Sequence, residues 1–214
     1  MTEGRTKRSD SDKDSLRSQF REYRTGLSES EYVRLSHDIV RNAIKLPELR
    51  RAGTVHLYWP VVEQREVDTK PLIRWLQRRR REIILPVVLK FGLGNNDSPR
   101  LAHVRFPGEE ALRLNRWGIL EPEPGPGVSI DELDAVVVPA LGAARDGHRV
   151  GYGLGYYDEF LAEVGVPKIC LAYEACILDS VPFGTNDVPV DILVSEKTIY
   201  RTSCTPEDDR SCFT

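Results

Sequence analysis

Apolar residues along this chain recur first at helical spacing and then in short continuous runs. Leu16, Phe20 and Tyr23 share one helical face, and Ser11 followed by Asp14 supplies a cap for the helix that carries them. Gly26 interrupts it. Ser28 and Glu31 then form a capping-box pair for a second helix with Tyr32, Leu35, Ile39 and Ala43 inward, and Pro47 stops that helix. The pattern next predicts a strand over 54–59 and a helix over 69–79 with Leu72, Ile73 and Leu76 inward. Residues 82–88 are apolar almost throughout, as in a parallel strand covered on both faces. Residues 90–99 hold Gly92, Gly94, Asn95, Asn96 and Asp97, which is turn chemistry. Further strands are predicted over 101–106, 135–141, 168–172 and 190–194, and a helix over 156–164. Strands alternating with helices make an α/β domain with a mainly parallel sheet.

The polar stretches 1–12 and 202–214 read as loose tails around a single domain over 13–201, since no repeat or low-complexity linker divides it. The 214 residues are 40% apolar and 29% charged, as in a globular protein in water. A net charge of -3 gives no general attraction to nucleic acid or anionic lipid. Neither is therefore an expected partner, and any bound anion needs a local site. No apolar run reaches the roughly 20 residues of a membrane span, and the N-terminus offers no apolar segment to a signal peptidase. Cys170, Cys176, Cys204 and Cys212 lack the spacing of zinc sites or redox pairs, and Cys170 lies in an apolar run as a small core residue. A cytoplasmic protein with reduced thiols is expected.

Candidate chemistry concentrates after the strand over 135–141, where glycines at 147, 151, 153 and 155 lead into a helix. Alternate glycines let the backbone approach a ligand and turn its N–H groups inward, and a helix start adds positive potential. Arg149 offers a fork suited to phosphate oxygens, and Asp158 a hard oxygen ligand suited to Mg²⁺. The same glycines would also serve a tight loop that only solves a packing problem. A dinucleotide-binding loop does not fit, because its third glycine would fall at Tyr156; a Walker A loop does not fit, because no Gly-Lys-Ser/Thr occurs.

The segment Gly147-x-Arg149-Val150-Gly151-x-Gly153-x-Gly155-Tyr156-Tyr157-Asp158 resembles the signature loop of the 5-formyltetrahydrofolate cyclo-ligase family. Further elements match in the family's order: Lys13-x-x-Leu16-Arg17, Glu66-Val67-Asp68-Thr69, Leu85-Pro86-Val87, Trp117-Gly118-Ile119-Leu120-Glu121-Pro122, Asn186-Asp187 and Val190-Asp191. The resemblance spans roughly residues 13–198 and carries several ordered motifs, each weak alone. It implies a three-layer α/β/α fold similar to the sugar-phosphate isomerase and coenzyme A-transferase type. It also implies conversion of 5-formyltetrahydrofolate and ATP into 5,10-methenyltetrahydrofolate, ADP and phosphate by an enzyme that uses Mg²⁺; a monomer is expected. In that chemistry the formyl oxygen attacks the γ-phosphate, and the second folate nitrogen then closes the ring and expels phosphate.

By the same resemblance, Lys13 and Arg17 contact ATP phosphates, and Lys13 and Arg149 are the catalytic cations. Arg149 with the backbone of Val150, Gly151, Tyr152, Gly153, Leu154, Gly155, Tyr156 and Tyr157 would cradle the nucleotide. Asp158 and Asp187 would hold Mg²⁺, Glu66 would bond the pterin edge, and Trp59, Trp117, Tyr152 and Tyr156 would line the substrate. Taken alone, each has a plainer reading: a solvated helix face for Lys13 and Arg17, a turn for Asp187, a helix-dipole carboxylate for Glu66, core packing for the tryptophans. Arg78 to Arg81 read as a solvated helix end, and His37, His56 and His103 have no metal spacing. Ala143 and Ala144 stand where the family has Phe-Asp, Cys176 where it often has Gln, and Glu159 where a polar residue or Arg follows the Tyr-Tyr-Asp. These departures keep a second reading open: a non-catalytic family member that binds nucleotide or folate and acts through a partner.

Overall fold

The computed structural model describes residues 3–89 and 100–202, with side chains from residue 12 onward. The turn predicted over 90–99 and residues 203–214 lie outside the described residues. Helix α1 (Glu3–Thr25) begins at Glu3 rather than at the Ser11 cap, so residues 3–12, expected as a loose tail, are helical. Polarity favours a tail, but once Leu16, Phe20 and Tyr23 anchor a helix, adding a turn costs little more than side-chain propensity. After Gly26, helix α2 (Glu29–Ala43) starts with the predicted box: Ser28 Oγ accepts from Glu31 N, and Glu31 Oε2 accepts from Ser28 N at 3.0 Å. Pro47 does not stop α2, which ends at Ala43; it opens helix α3 (Pro47–Arg51), where its fixed φ and missing N–H suit the first turn.

Strand β1 is shorter than the pattern implied, Thr54–His56, although Leu57 N still bonds Ile84 O at 2.9 Å. Trp59 is followed by Pro60, which has no N–H with which to extend a ladder. Helix α4 (Lys70–Arg78) follows, then β2 (Glu82–Val88) and the antiparallel edge strand β3 (Leu101–Arg105). A hairpin the periodicity did not reveal, β4 (Leu112–Leu114) with β5 (Leu120–Pro122), precedes β6 (Ala135–Pro139). Strands β7 (Gly142–Ala144) and β8 (Arg149–Val150) form a second hairpin, and α5 (Tyr156–Ala162) leads to β9 (Lys168–Leu171). β10 (Ile177–Leu178) joins β7, and β11 (Ile192–Val194) pairs with the edge strand β12 (Ile199–Arg201).

The main sheet has the order β12-β11-β9-β6-β1-β2-β3, parallel except at its two edges. Alternation along each strand feeds two separate cores. Ile83, Val137, Ile169 and Ile192 face α1 to α4 through Phe20, Ile39, Leu49 and Leu72. Their neighbours Ile84, Val138, Cys170 and Leu193 face α5 through Phe160 and Leu161. This makes three layers, with both sheet faces apolar because both are covered. Burial pushes the Cys170 thiol up to about 12, which suits its reading as a small core residue. His56 and His103 pack against Phe160 with ring centroids 4.8 and 4.3 Å away. Among the described residues no helix is long and apolar enough to cross a membrane.

From β1 the sheet grows through β2 on one side and through β6, β9 and β11 on the other. The order therefore reverses between β1 and β6. Loops leaving the carboxyl ends of two such strands diverge to opposite faces and leave a crevice, the usual ligand position in open α/β sheets.

Candidate active site

A cavity of about 520 Å³ occupies that crevice. Tyr58 and Trp59 beyond β1, Leu85, Pro86 and Val88 of β2, and Pro139 at the end of β6 form its floor and one wall. Loop 151–155, α1 and the β4–β5 hairpin close the rest. Of the residues singled out from sequence, Lys13, Arg17, Trp59, Glu66, Trp117, Arg149, Asp158 and Asp187 all line it, as do 151–157 of the glycine loop. Val150 does not; its side chain is buried in the core facing α1 to α4, and its carbonyl accepts from Leu141 N.

One stripe of α1 delivers the cations. Lys13, Arg17, Phe20 and Arg24 follow at intervals of four, three and four, so they share a helix face. Lys13 Nζ donates to Asp187 Oδ2. Arg17 Nε donates to Gly151 O at 3.1 Å, and its guanidinium lies against Gly153, where a Cβ would approach Cζ to 3.2 Å. Gly153 also has φ +96° and Gly155, the N-cap of α5, φ +74°, conformations other residues rarely adopt. Larger side chains here would strain the loop and push Arg17 away.

Arg149 leaves the β7–β8 hairpin with its side chain almost wholly buried. Nη1 donates to Val188 O at 2.5 Å and Nη2 to Asp158 Oδ1 at 2.8 Å, while Asp158 Oδ1 also accepts from Val188 N at 3.2 Å. The fork expected for phosphate thus rests on the carboxylate expected for metal, as Lys13 rests on Asp187. Both carboxylates use one oxygen in these bonds, Oδ1 in Asp158 and Oδ2 in Asp187. Asp187 Oδ2 also accepts from Gly184 N at 2.6 Å, so its turn role and its place in the cavity coexist. Burial raises the Asp187 pKa, but the Lys13 bond, the Gly184 N–H and the charges of Lys13 and Arg149 outweigh it and hold the carboxyl below its usual range.

Glu66 also lines the cavity, as a buried carboxylate 4% exposed. Oε2 accepts from Val61 N at 3.0 Å and Oε1 from the Tyr152 hydroxyl at 2.7 Å. Burial raises its pKa, opposed by the charge of Arg24 and by those two donors. The helix-dipole reading of Glu66 is not realised, since Asp68 is the carboxylate that accepts from Lys70 N at the start of α4. Trp59 stacks on Phe106 (centroids 5.7 Å, planes 29° apart), and Trp117, 43% exposed on the β4–β5 turn, stands at the mouth. The sequence reading missed Arg24, which is 1% exposed and donates to Tyr152 Oη, Gln64 O and Arg65 O. Its position four residues after the inward Phe20 was the available signal.

Ala143, Ala144 and Cys176, the departures noted above, are wholly buried and stand away from the cavity lining. Among the described residues no group of three or more His, Cys, Asp or Glu side chains gathers around a metal-sized space. Magnesium makes a smaller demand: one or two protein carboxylates, with phosphate oxygens and water for the rest. Asp158 and Asp187 each keep an oxygen outside the bonds described, and so have the chemistry to serve as those carboxylates.

Comparison with known proteins gives a consistent result. The model of the 5-formyltetrahydrofolate cyclo-ligase family matches residues 9–196. A 5-formyltetrahydrofolate cyclo-ligase of Haemophilus influenzae is 28% identical over 84% of this chain and 95% of its own length. The Mus musculus protein of the same name is 26% identical over 85% and 92%. Among solved structures, 5,10-methenyltetrahydrofolate synthetase from Aquifex aeolicus superposes with a TM-score of 0.75 at 33% identity, covering 90% of this chain and 94% of that one.

Proposed function

This chain belongs to the 5-formyltetrahydrofolate cyclo-ligase family, and from that membership we propose that it cyclises 5-formyltetrahydrofolate to 5,10-methenyltetrahydrofolate with ATP, releasing ADP and phosphate. The observation that carries the reading is the shared cavity, whose lining joins the cations Lys13, Arg17 and Arg149 and the carboxylates Asp158 and Asp187 with the buried carboxylate Glu66 and the aromatic side chains of Trp59 and Trp117. In this reading the nucleotide phosphates lie along loop 151–155 between Lys13, Arg17 and Arg149. Lys13 has three donors and Arg149 five, so both keep donors for phosphate oxygens beyond those on Asp187 and Asp158. Magnesium, held by Asp158 and Asp187, would neutralise charge on the transferring phosphoryl group. Glu66 orients the folate ring by accepting from its N–H edge, and Trp59 and Trp117 flank the ring system. Holding the formyl oxygen near the γ-phosphate and the second nitrogen near the activated carbon turns two encounters into intramolecular steps. The walls of Tyr58, Leu85 and Leu120 help to keep water from the phosphorylated intermediate. The enzyme would work in the cytoplasm as a monomer.

Because Ala143, Ala144 and Cys176 pack in the core, they bear on local packing more than on ligand contact, which weakens the non-catalytic reading. The test mixes purified protein with 5-formyltetrahydrofolate, ATP and Mg²⁺ and follows the absorbance of the methenyl product. Product is expected only with ATP and Mg²⁺ both present, with one ADP released per turnover. No product from folded protein at high concentration would return the chain to the binding-protein reading.

A further inference from the structure

Arg24 lies outside the cavity lining yet touches two of the elements that build it. Nε donates to Gln64 O at 3.0 Å and Arg65 O at 3.2 Å, the two carbonyls that precede Glu66. Nη1 and Nη2 both donate to Tyr152 Oη at 3.3 Å, in the middle of the glycine loop. A guanidinium has no acceptor, so each of these contacts fixes the direction of the bond. Tyr152 Oη, already accepting from Arg24, has one proton to give, and it gives it to Glu66 Oε1 at 2.7 Å.

We propose that Arg24 is a positioning residue for the folate site: it sets Tyr152 as a donor to Glu66 and pins the 64–65 backbone, so that Glu66 meets the substrate as an ionised acceptor. The inference rests on the reading that Glu66 binds the N–H edge of the folate ring. A protonated Glu66 would compete with Tyr152 for the same oxygen-to-oxygen bond and would present an O–H to a ring edge that also donates. Among the described residues, the charge that acts on Glu66 is that of Arg24 on α1, while the phenols of Tyr152 and Tyr157 in and after the glycine loop, Tyr58 beyond β1, Tyr32 on α2 and Tyr173 beyond β9 feel the charge of Glu66. All five phenols titrate above their ordinary value, chiefly through burial, and stay neutral at working pH. With those phenols neutral, Arg24 supplies a fixed positive charge that favours the ionised form of Glu66.

The experiment measures kcat/KM for 5-formyltetrahydrofolate against pH, and KM for ATP, in wild type, R24Q, R24K, Y152F and E66Q. Glu66 has a raised folded pKa, so activity falls as pH drops through it, and losing Arg24 moves that acid limb to higher pH. R24Q should shift the limb upward by about one unit, a roughly tenfold loss below it and a small one above, with KM for ATP within about twofold. R24K, keeping charge but losing the fork, should fall between R24Q and wild type. Y152F should move the limb the same way, and it decides the matter if R24Q fails to fold. A loss equal at every pH, or a parallel rise in KM for ATP, would mean that Arg24 only holds α1 in place. If E66Q leaves folate KM unchanged, the reading beneath the inference fails with it; if E66Q raises folate KM while neither R24Q nor Y152F moves the limb, the inference alone fails.

Discussion

Asp158 shows at the residue scale how one side chain serves two demands. It receives Arg149 and the Val188 amide on Oδ1 while keeping its carboxylate in the cavity. Asp158→Asn keeps the size but removes the charge that would hold a metal and balance Arg149. We expect the variant to need much more Mg²⁺ and to lose at least about tenfold in turnover, roughly 1.4 kcal/mol of barrier. Nucleotide-bound magnesium should rescue part of the loss at high concentration. If Asp158 served only Arg149 and the start of α5, melting temperature would fall while the magnesium requirement stayed put. Titrating Mg²⁺ against turnover for both proteins, beside their melting curves, separates the two outcomes.

Among the elements, α1 stands out because one face of it serves three purposes. Lys13 and Arg17 enter the cavity, Phe20 packs where a Cβ on Gly142 would collide with its ring, and Arg24 reaches Tyr152. Its first eight residues, from Glu3, precede all of these. Deleting residues 1–10 is therefore expected to leave activity within about twofold of wild type and to shift Tm little, since exposed helix ends contribute little stability. Deleting 1–18 removes Lys13 and Arg17 while retaining Phe20 and Arg24, and should abolish measurable ATP binding by calorimetry. Normal ATP affinity in a folded 1–18 deletion would take both cations off the nucleotide.

At the scale of the whole molecule, the cavity walls come from α1, the segment after β1, β2, the β4–β5 hairpin, β6 and the glycine loop, so a ligand bound there would be coupled to the fold. Nucleotide at a hundredfold over its Kd should stabilise the protein by about 2.7 kcal/mol, raising Tm by roughly 5–10 °C for a chain of this size. Thermal melts with ATP and Mg²⁺, against Mg²⁺ alone, test this; no shift at saturating nucleotide would argue against a nucleotide site. Much of this architecture is legible in the sequence because its signals are local. The Ser28–Glu31 box, the apolar run at 82–88 and the glycine pattern from 147 to 155 act within a few residues, and the motif order carried most of the candidate site. The start of α1 is not legible in the sequence, because helix propagation from a packed segment leaves no apolar signature in the residues it recruits. Strands β7, β8 and β10, two or three residues long, are too short for a period to register. Sequence alone determined which residue types could bind phosphate and metal and which strands would be buried. Tertiary structure alone decided that Lys13 meets Asp187 across 174 positions, that the crevice opens between β1 and β6, and that Arg24 turns inward to Tyr152 and Glu66. Such pairings depend on the order and direction of strands in the sheet, and no window along the chain contains both partners.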